Sequence, residues 1–228
     1  MAMPAKLSAT AGLAILVATV AIAQQPWVSE RTSGTAQDLN TVSFVDSRTG
    51  WVGGDGGTVL RTEDGGGSWS AQRLNGVQTI NDIYFANRRE GYLLAGNQIL
   101  ATSDSGRTWQ VLIRMAGTEY GGEPELNSIH FTTRKKGWIV GSISRDERVL
   151  ESLVLRTEDG GASWQRIGVP TRAELLHLDW LGERKGWIVG GAGVVLYTND
   201  GGLTWSVHPT SADARDFNRN ADPNSVDR

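Results

Sequence analysis

The chain has 228 residues, a formal net charge of -3, 29 glycines, six prolines and no cysteine. A weakly acidic balance gives no general attraction to nucleic acid, and the missing cysteines exclude disulfides, thiolate catalysis and lipid attachment through an N-terminal cysteine. The length is enough to bury a sizeable core without covalent staples.

The first 23 residues have the layout of an export signal. Lys6 is their only charge, "AGLAILVATVAIA" follows from Ala11, and small residues stand at Ala21-Ile22-Ala23. That run is shorter than the roughly twenty residues a membrane span needs, which opposes the competing reading of a retained anchor. The expected location is therefore periplasmic or extracellular, or lumenal in a photosynthetic host. The folded domain is expected over 24–210, followed by a polar, disordered tail over 211–228.

From residue 39 one unit is written four times. Its anchors are Leu39, Phe44, Gly50-Trp51 and Trp69, then Ile80, Phe85, Gly91-Tyr92 and Trp109. The third copy has Leu126, Phe131, Gly137-Trp138 and Trp164, and the fourth Leu175, Trp180, Gly186-Trp187 and Trp205. The two middle aromatics keep the same offset in all four, which chance would not hold. Apolar runs such as "NTVSF", "GWVGG", "TVLRT" and "SWSAQRL" are short, rich in Val, Thr and Trp, and bounded by glycine. They predict four strands per unit, A to D, and a repeat of this length with four strands predicts a β-propeller blade. The fold class is all-β, a propeller of four-stranded antiparallel blades.

Upstream, "PWVSERTSGTAQDLNTV" aligns with "SWSAQRLNGVQTINDI", placing Trp27 where a strand D tryptophan stands. This predicts an extra N-terminal strand that closes the ring or belongs to an incomplete fifth blade. A self-closed monomer is preferred to a ring-completing homodimer.

The turn between strands C and D reads "RTEDGGGSW", "ATSDSGRTW", "RTEDGGASW" and "YTNDGGLTW" in the four units. Its Asp accepts hydrogen bonds from the N–H groups of its own turn, and its glycines adopt positive φ at little cost. Asp64, Asp104, Asp159 and Asp200 are thus read as structural, as are Trp69, Trp109, Trp164 and Trp205, which supply apolar bulk. A calcium loop would need more carboxylates per turn, and a phosphate loop a lysine beside the glycines and a helix behind them.

This turn is the Asp-box, and with "GWIVG" ahead of "LRTEDGGASW" the chain resembles the Asp-box (BNR-repeat) propellers of the photosystem II stability and assembly factor-like family. The resemblance covers about 39–208. It implies a propeller without enzymatic activity that docks on membrane-protein assembly intermediates, although the photosynthetic members have seven blades.

Connectivity puts the A–B and C–D turns on one face and the B–C and D–A loops on the other. Only unit three is enlarged, by "RMAGTEYGGEPE" in its D–A loop and "SISRDERVLES" in its B–C loop. These bring Arg114, Glu119, Tyr120, Glu123, Glu125, Arg145, Asp146, Glu147 and Arg148 to one sector, as candidate binding residues over a rigid scaffold. The bland reading is a longer hairpin whose charges pair with one another. On the opposite face Arg48, Arg89, Lys135 and Arg184 recur in the A–B turns and predict a basic ring for acidic partner loops or anionic head groups. The bland reading there is neutralisation by acids of the nearby Asp-box turns, such as Glu63 or Glu158.

The rival to a protein-binding module is a sialidase-like glycoside hydrolase or a carbohydrate-binding propeller. Glycosidases pair two carboxyl groups across the scissile bond, and Glu119, Glu123 or Glu125 with Asp146 or Glu147 are the candidates. However, the Arg-Ile-Pro stretch of sialidases has no match beyond "RIGVP" at 166–170, and His130, His177 and His208 form no metal-ligand spacing. The expectation is a non-catalytic module without cofactor or metal, binding a partner protein that is membrane-associated.

Overall fold

The computed structural model describes residues 34–117 and 121–208. The expected signal, the Trp27 strand and the tail from 211 lie outside the described residues. Those described form a four-bladed β-propeller of four antiparallel sheets, each in simple chain order.

Blade one is β1 (Leu39–Phe44), β2 (Gly50–Gly54), β3 (Thr58–Thr62) and β4 (Ser70–Arg73). Blade two is β5 (Asp82–Phe85), β6 (Gly91–Ala95), β7 (Gln98–Thr102) and β8 (Gln110–Arg114). Blade three is β9 (Glu123–Phe131), β10 (Gly137–Arg145), β11 (Arg148–Thr157) and β12 (Gln165–Arg166). Blade four is β13 (Leu175–Leu181), β14 (Lys185–Gly190), β15 (Val195–Thr198) and β16 (Ser206–Val207). Each outermost strand begins one residue after its Asp-box tryptophan rather than on it.

Packing explains why a glycine precedes the second aromatic of every unit. Gly50, Gly91, Gly137 and Gly186 lie directly across from Phe44, Phe85, Phe131 and Trp180 in the strand pairing. The partner ring lies over the glycine so closely that an added Cβ would come within 2.7, 2.7, 2.5 and 2.9 Å of it. The next residue then points the other way and reaches the following blade. Trp51 stacks on Phe85, Tyr92 on Phe131, and Trp138 meets Trp180 at a tilt.

Apolar cores accordingly lie between blades. Trp51 and Val59 of blade one pack with Ile80, Ile83, Phe85 and Leu100 of blade two. Leu94 and Ile99 meet Leu126, Ile129, Phe131 and Leu155, and Trp138, Val140 and Val154 meet Leu175, Leu178, Ile188 and Leu196. Side-chain bonds stitch the same seams. Asn40, Asn81 and Asn127 each donate Nδ2–H to a carbonyl of the next blade, on Ile80, Leu126 and Leu175, at 3.3, 2.9 and 2.8 Å. Thr41 donates to Asp82 at 2.8 Å, Ser128 donates to the same carboxylate at 3.0 Å, and Ser128 Oγ lies 3.2 Å from His177 Nδ1. One polar chain therefore runs along the innermost strands of all four blades.

The pattern stops between blades four and one. Leu39, Val42 and Phe44 are 42%, 63% and 45% exposed, whereas their counterparts Ile80, Ile83 and Phe85 are at most 5% exposed. At the other end Trp187 and Val189 are 39% and 44% exposed, against 0% for Trp138 and Val140. Among the described residues the facing sides of blades four and one are therefore left exposed, and the Trp27 strand expected to close the ring lies outside them.

Candidate functional site

The Asp-box turns repeat to within a few tenths of an ångström. In the first, Thr62 Oγ1 donates to Asp64 Oδ1 at 2.8 Å and accepts the Gly66 N–H at 2.9 Å. Ser68 gives its N–H to Oδ1 at 2.8 Å and its hydroxyl to Oδ2 at 2.7 Å. Asp104, Asp159 and Asp200 hold Thr108, Ser163 and Thr204 in the same way. Donors fill both carboxylate oxygens, and each of the four acids is held down at about 2. Backbone N–H donation from Ser68 and Thr108 leads for Asp64 and Asp104, and the hydroxyls of Ser163 and Thr204 lead for Asp159 and Asp200. Such carboxylates are fixed anions that close a turn. Trp69, Trp109, Trp164 and Trp205 set their edges against the first-strand aromatic of their own blade, at 6.2, 5.8, 6.0 and 5.7 Å.

The recurring bases of the A–B turns have a shared main-chain role. The carbonyls of Arg48, Arg89, Lys135 and Arg184 accept N–H from Gly65, Ser105, Gly160 and Gly201, at 2.8, 2.9, 2.9 and 3.0 Å. Each base position thus ties its turn to the Asp-box of the same blade. Arg48 and Arg184 also point Nε at carbonyls of those boxes, on Glu63 and Asn199. Adjoining charges pair off, Arg88 with Asp46 at 2.7 Å, Lys136 with Glu183 at 3.2 Å and Arg156 with Glu158 at 2.6 Å. Part of the charge beside the recurring bases is therefore answered within the domain.

Blade three differs. The segment read as an enlarged B–C loop is mostly strand: β10 and β11 pair out to Arg145 opposite Arg148, with a register shift between Ile143 and Ser144, and Asp146-Glu147 makes the turn. Both turn residues have positive φ, 50° and 61°, the backbone of a two-residue type I′ hairpin. The run of four charges from Arg145 to Arg148 hid the strand pattern in the sequence. The first strand, β9, grows in step, its Glu123 lying opposite Ser144.

An open cleft of about 670 Å³ lies beside this hairpin tip, lined by Gly117, Gly121, Gly122, Glu123, Ser144, Arg145, Asp146 and Glu147. Arg145 donates to the Gly121 carbonyl across it. Glu123, Arg145, Asp146 and Glu147 are thus brought together as expected from sequence. Arg114 is not among the lining residues and donates to Gln98 at 2.9 Å instead. Glu125 accepts from Asn81 and borders a separate cleft between blades two and three. Arg148 stands on β11 opposite Arg145, and Glu119 and Tyr120 lie outside the described residues.

A family model described as "Photosynthesis system II assembly factor YCF48" matches residues 68–173 and 162–222. The photosystem II assembly lipoprotein Ycf48 of Synechococcus sp. (strain CC9902) is 28% identical over 163 residues, 69% of this chain and 46% of that protein. The chain thus spans about half the length of that relative. The photosystem II assembly protein Ycf48 of Thermosynechococcus vestitus is 28% identical over 83% of this chain and 77% of its own length. An ancestral GH74 enzyme superposes with a TM-score of 0.61 at 15% identity, covering 80% of this chain and 25% of that one. At that identity the likeness shows the propeller fold alone.

Proposed function

The chain belongs to the photosynthesis system II assembly factor family, and from that premise we propose that it is an exported, non-catalytic propeller that holds a segment of a membrane-protein assembly intermediate in the blade-three cleft. The observation that carries the choice of site is the departure of one blade from an otherwise regular repeat. Blade three alone extends its inner three strands to nine, nine and ten residues and raises a charged hairpin tip beside a cleft. On the opposite face Arg48 and Arg184 bond Asp-box carbonyls, and Arg88 and Lys136 pair with Asp46 and Glu183. Function in propellers resides in sites built on the fold, and a loop cluster over a rigid scaffold is where such a site is expected.

Photo-crosslinking separates the two faces. A photoreactive residue at position 148 should join the chain to a membrane protein of its host, and the same residue at position 89 should not. Crosslinks from position 89 alone would move the interface to the basic face and reject the cleft.

A further inference from the structure

Blades one and four each expose half of an interface that the chain completes three times internally. On the leading side of blades two, three and four, three apolar residues of the innermost strand are covered by the preceding blade; on blade one the corresponding Leu39, Val42 and Phe44 are exposed. Across each completed seam an aromatic of the second strand reaches the next Asp-box. Trp51 donates its indole N–H to the Ser105 carbonyl at 3.0 Å, the Tyr92 hydroxyl donates to the Gly160 carbonyl at 2.5 Å, and Trp138 reaches its box by packing alone, its indole N–H unpaired. The following glycine lies against that aromatic: a Cβ on Gly106, Gly161 or Gly202 would stand 3.1, 3.1 or 2.3 Å from Trp51, Tyr92 or Trp138. The atoms nearest a Cβ on Gly66 belong to its own Trp69, and Trp187 is the second-strand aromatic left exposed. A groove of about 500 Å³ runs beside Trp187 and Tyr197, on the side where the next Asp-box would sit.

The asparagine series agrees. Asn40, Asn81 and Asn127 each bond the next blade, and the same position in blade four is Leu176, 47% exposed. An exposed cluster of Leu176, Trp187, Val189 and Tyr197 is an apolar surface of the kind that marks an interface.

We propose that two copies of this chain join head to tail, blade four of each against blade one of the other, closing a ring of eight blades. The occupant follows from the repeat: the surface that fits blade four is the leading face of a blade, and the one leading face left uncovered among the described residues is that of blade one. The chain's own blade one is not seated there, since Phe44 and Trp187 are both exposed. A head-to-tail contact that repeats around a two-fold axis closes without free ends, and eight blades is within the usual range for propellers. At each seam Trp187 covers Phe44 of the second copy and lies on its Gly66. His177 meets Thr41 of the second copy and continues the polar chain around the ring. This assembly replaces the self-closed monomer expected from sequence and does not depend on the proposed cleft.

The test is the mass of the full chain by sedimentation equilibrium at micromolar concentration, with Trp187→Glu beside it and far-UV circular dichroism to confirm that both fold. Twice the chain mass for the wild type, and a dimer Kd raised roughly thirtyfold or more in the variant, as for a central aromatic anchor, would support the ring. A wild-type monomer would overturn it. Because the chain has no cysteine, the double variant Thr41→Cys/His177→Cys gives an independent reading on non-reducing gels. A disulfide-linked dimer supports two copies. An intrachain disulfide means self-closure, and no disulfide means that another segment, such as the one before residue 34, covers the faces; either result rejects the proposal.

Discussion

Trp51 lies face to face on Phe85 of the next blade, with ring centroids 3.4 Å apart and planes 5° from parallel. The same indole donates to the Ser105 carbonyl and is fully buried, so one side chain joins a strand, an apolar core and the neighbouring Asp-box. Trp51→Ala should destabilise by about 3–5 kcal/mol, the range for removing a large buried aromatic. Trp51→Phe keeps the stacking and loses the N–H bond, and should cost less, with about 1 kcal/mol from that bond. Urea unfolding of both variants checks the order, and equal losses would assign the effect to the hydrogen bond.

Acid should undo the turns together. The four Asp-box carboxylates sit at about 2 in the folded chain, below the roughly 3.9 of an unfolded aspartate. Their folded pKa values are depressed, so the unfolded state takes up protons first as pH falls. Their stabilisation is complete above about pH 5 and is lost from about pH 4 down through pH 2. Asp46, held down at about 2 first by Arg88, adds to the same window. Thermal midpoints measured across that window should fall steeply, and less steeply in Asp64→Ala. A flat profile would contradict the structural role of the turns.

Ser105 occupies the left-handed conformation at φ 70°, where the other three Asp-boxes have Gly65, Gly160 and Gly201 at 74°, 75° and 76°. That backbone costs an L-residue about 1–2 kcal/mol, part of which is offset by the greater freedom glycine has when unfolded. Ser105→Gly should therefore raise the thermal midpoint, with a net gain of about 0.5–1 kcal/mol. The carbonyl that accepts the Trp51 indole is retained. A lower midpoint would show that the serine side chain stabilises the turn.

The hairpin tip allows its charge to be separated from its fold. Asp146 and Glu147 both have positive φ, and Asn-Gly is the preferred pair for such a turn. Asp146→Asn/Glu147→Gly should keep or slightly raise stability while removing both carboxylates from the cleft. Binding to the partner should weaken with the melting curve unchanged or improved. Unchanged binding would take these two charges out of the interface.

Much of the fold was legible because the repeat sets its contacts at fixed offsets. The glycine beneath each first-strand aromatic explains the spacing of the two middle anchors, and the Asp-box explains the last. The asparagines that bridge blades were equally present in the sequence, one residue after Leu39, Ile80 and Leu126, but an exposed-looking Asn carries no signal until its partner carbonyl is known. The long hairpin of blade three was read as a loop because Arg145, Asp146, Glu147 and Arg148 interrupt the apolar alternation. The clustering of Glu123, Arg145 and Asp146 was legible, since face assignment follows from connectivity alone, whereas the turn of Arg114 toward Gln98 depends on its rotamer. The exposure of blades one and four among the described residues was not legible, because spacing along the chain does not tell whether the first blade meets the last.

Whether the blade-three cleft holds a membrane protein can be decided by capturing partners of the tagged full chain from detergent-solubilised membranes of its host, beside the variant Glu123→Gln/Asp146→Asn/Glu147→Gly. A stoichiometric membrane-protein partner should be captured with the wild type and lost with the folded variant. No such partner, together with sugar release from a glycan panel that disappears in Glu123→Gln, would contradict it and make the cleft the site of a glycosidase.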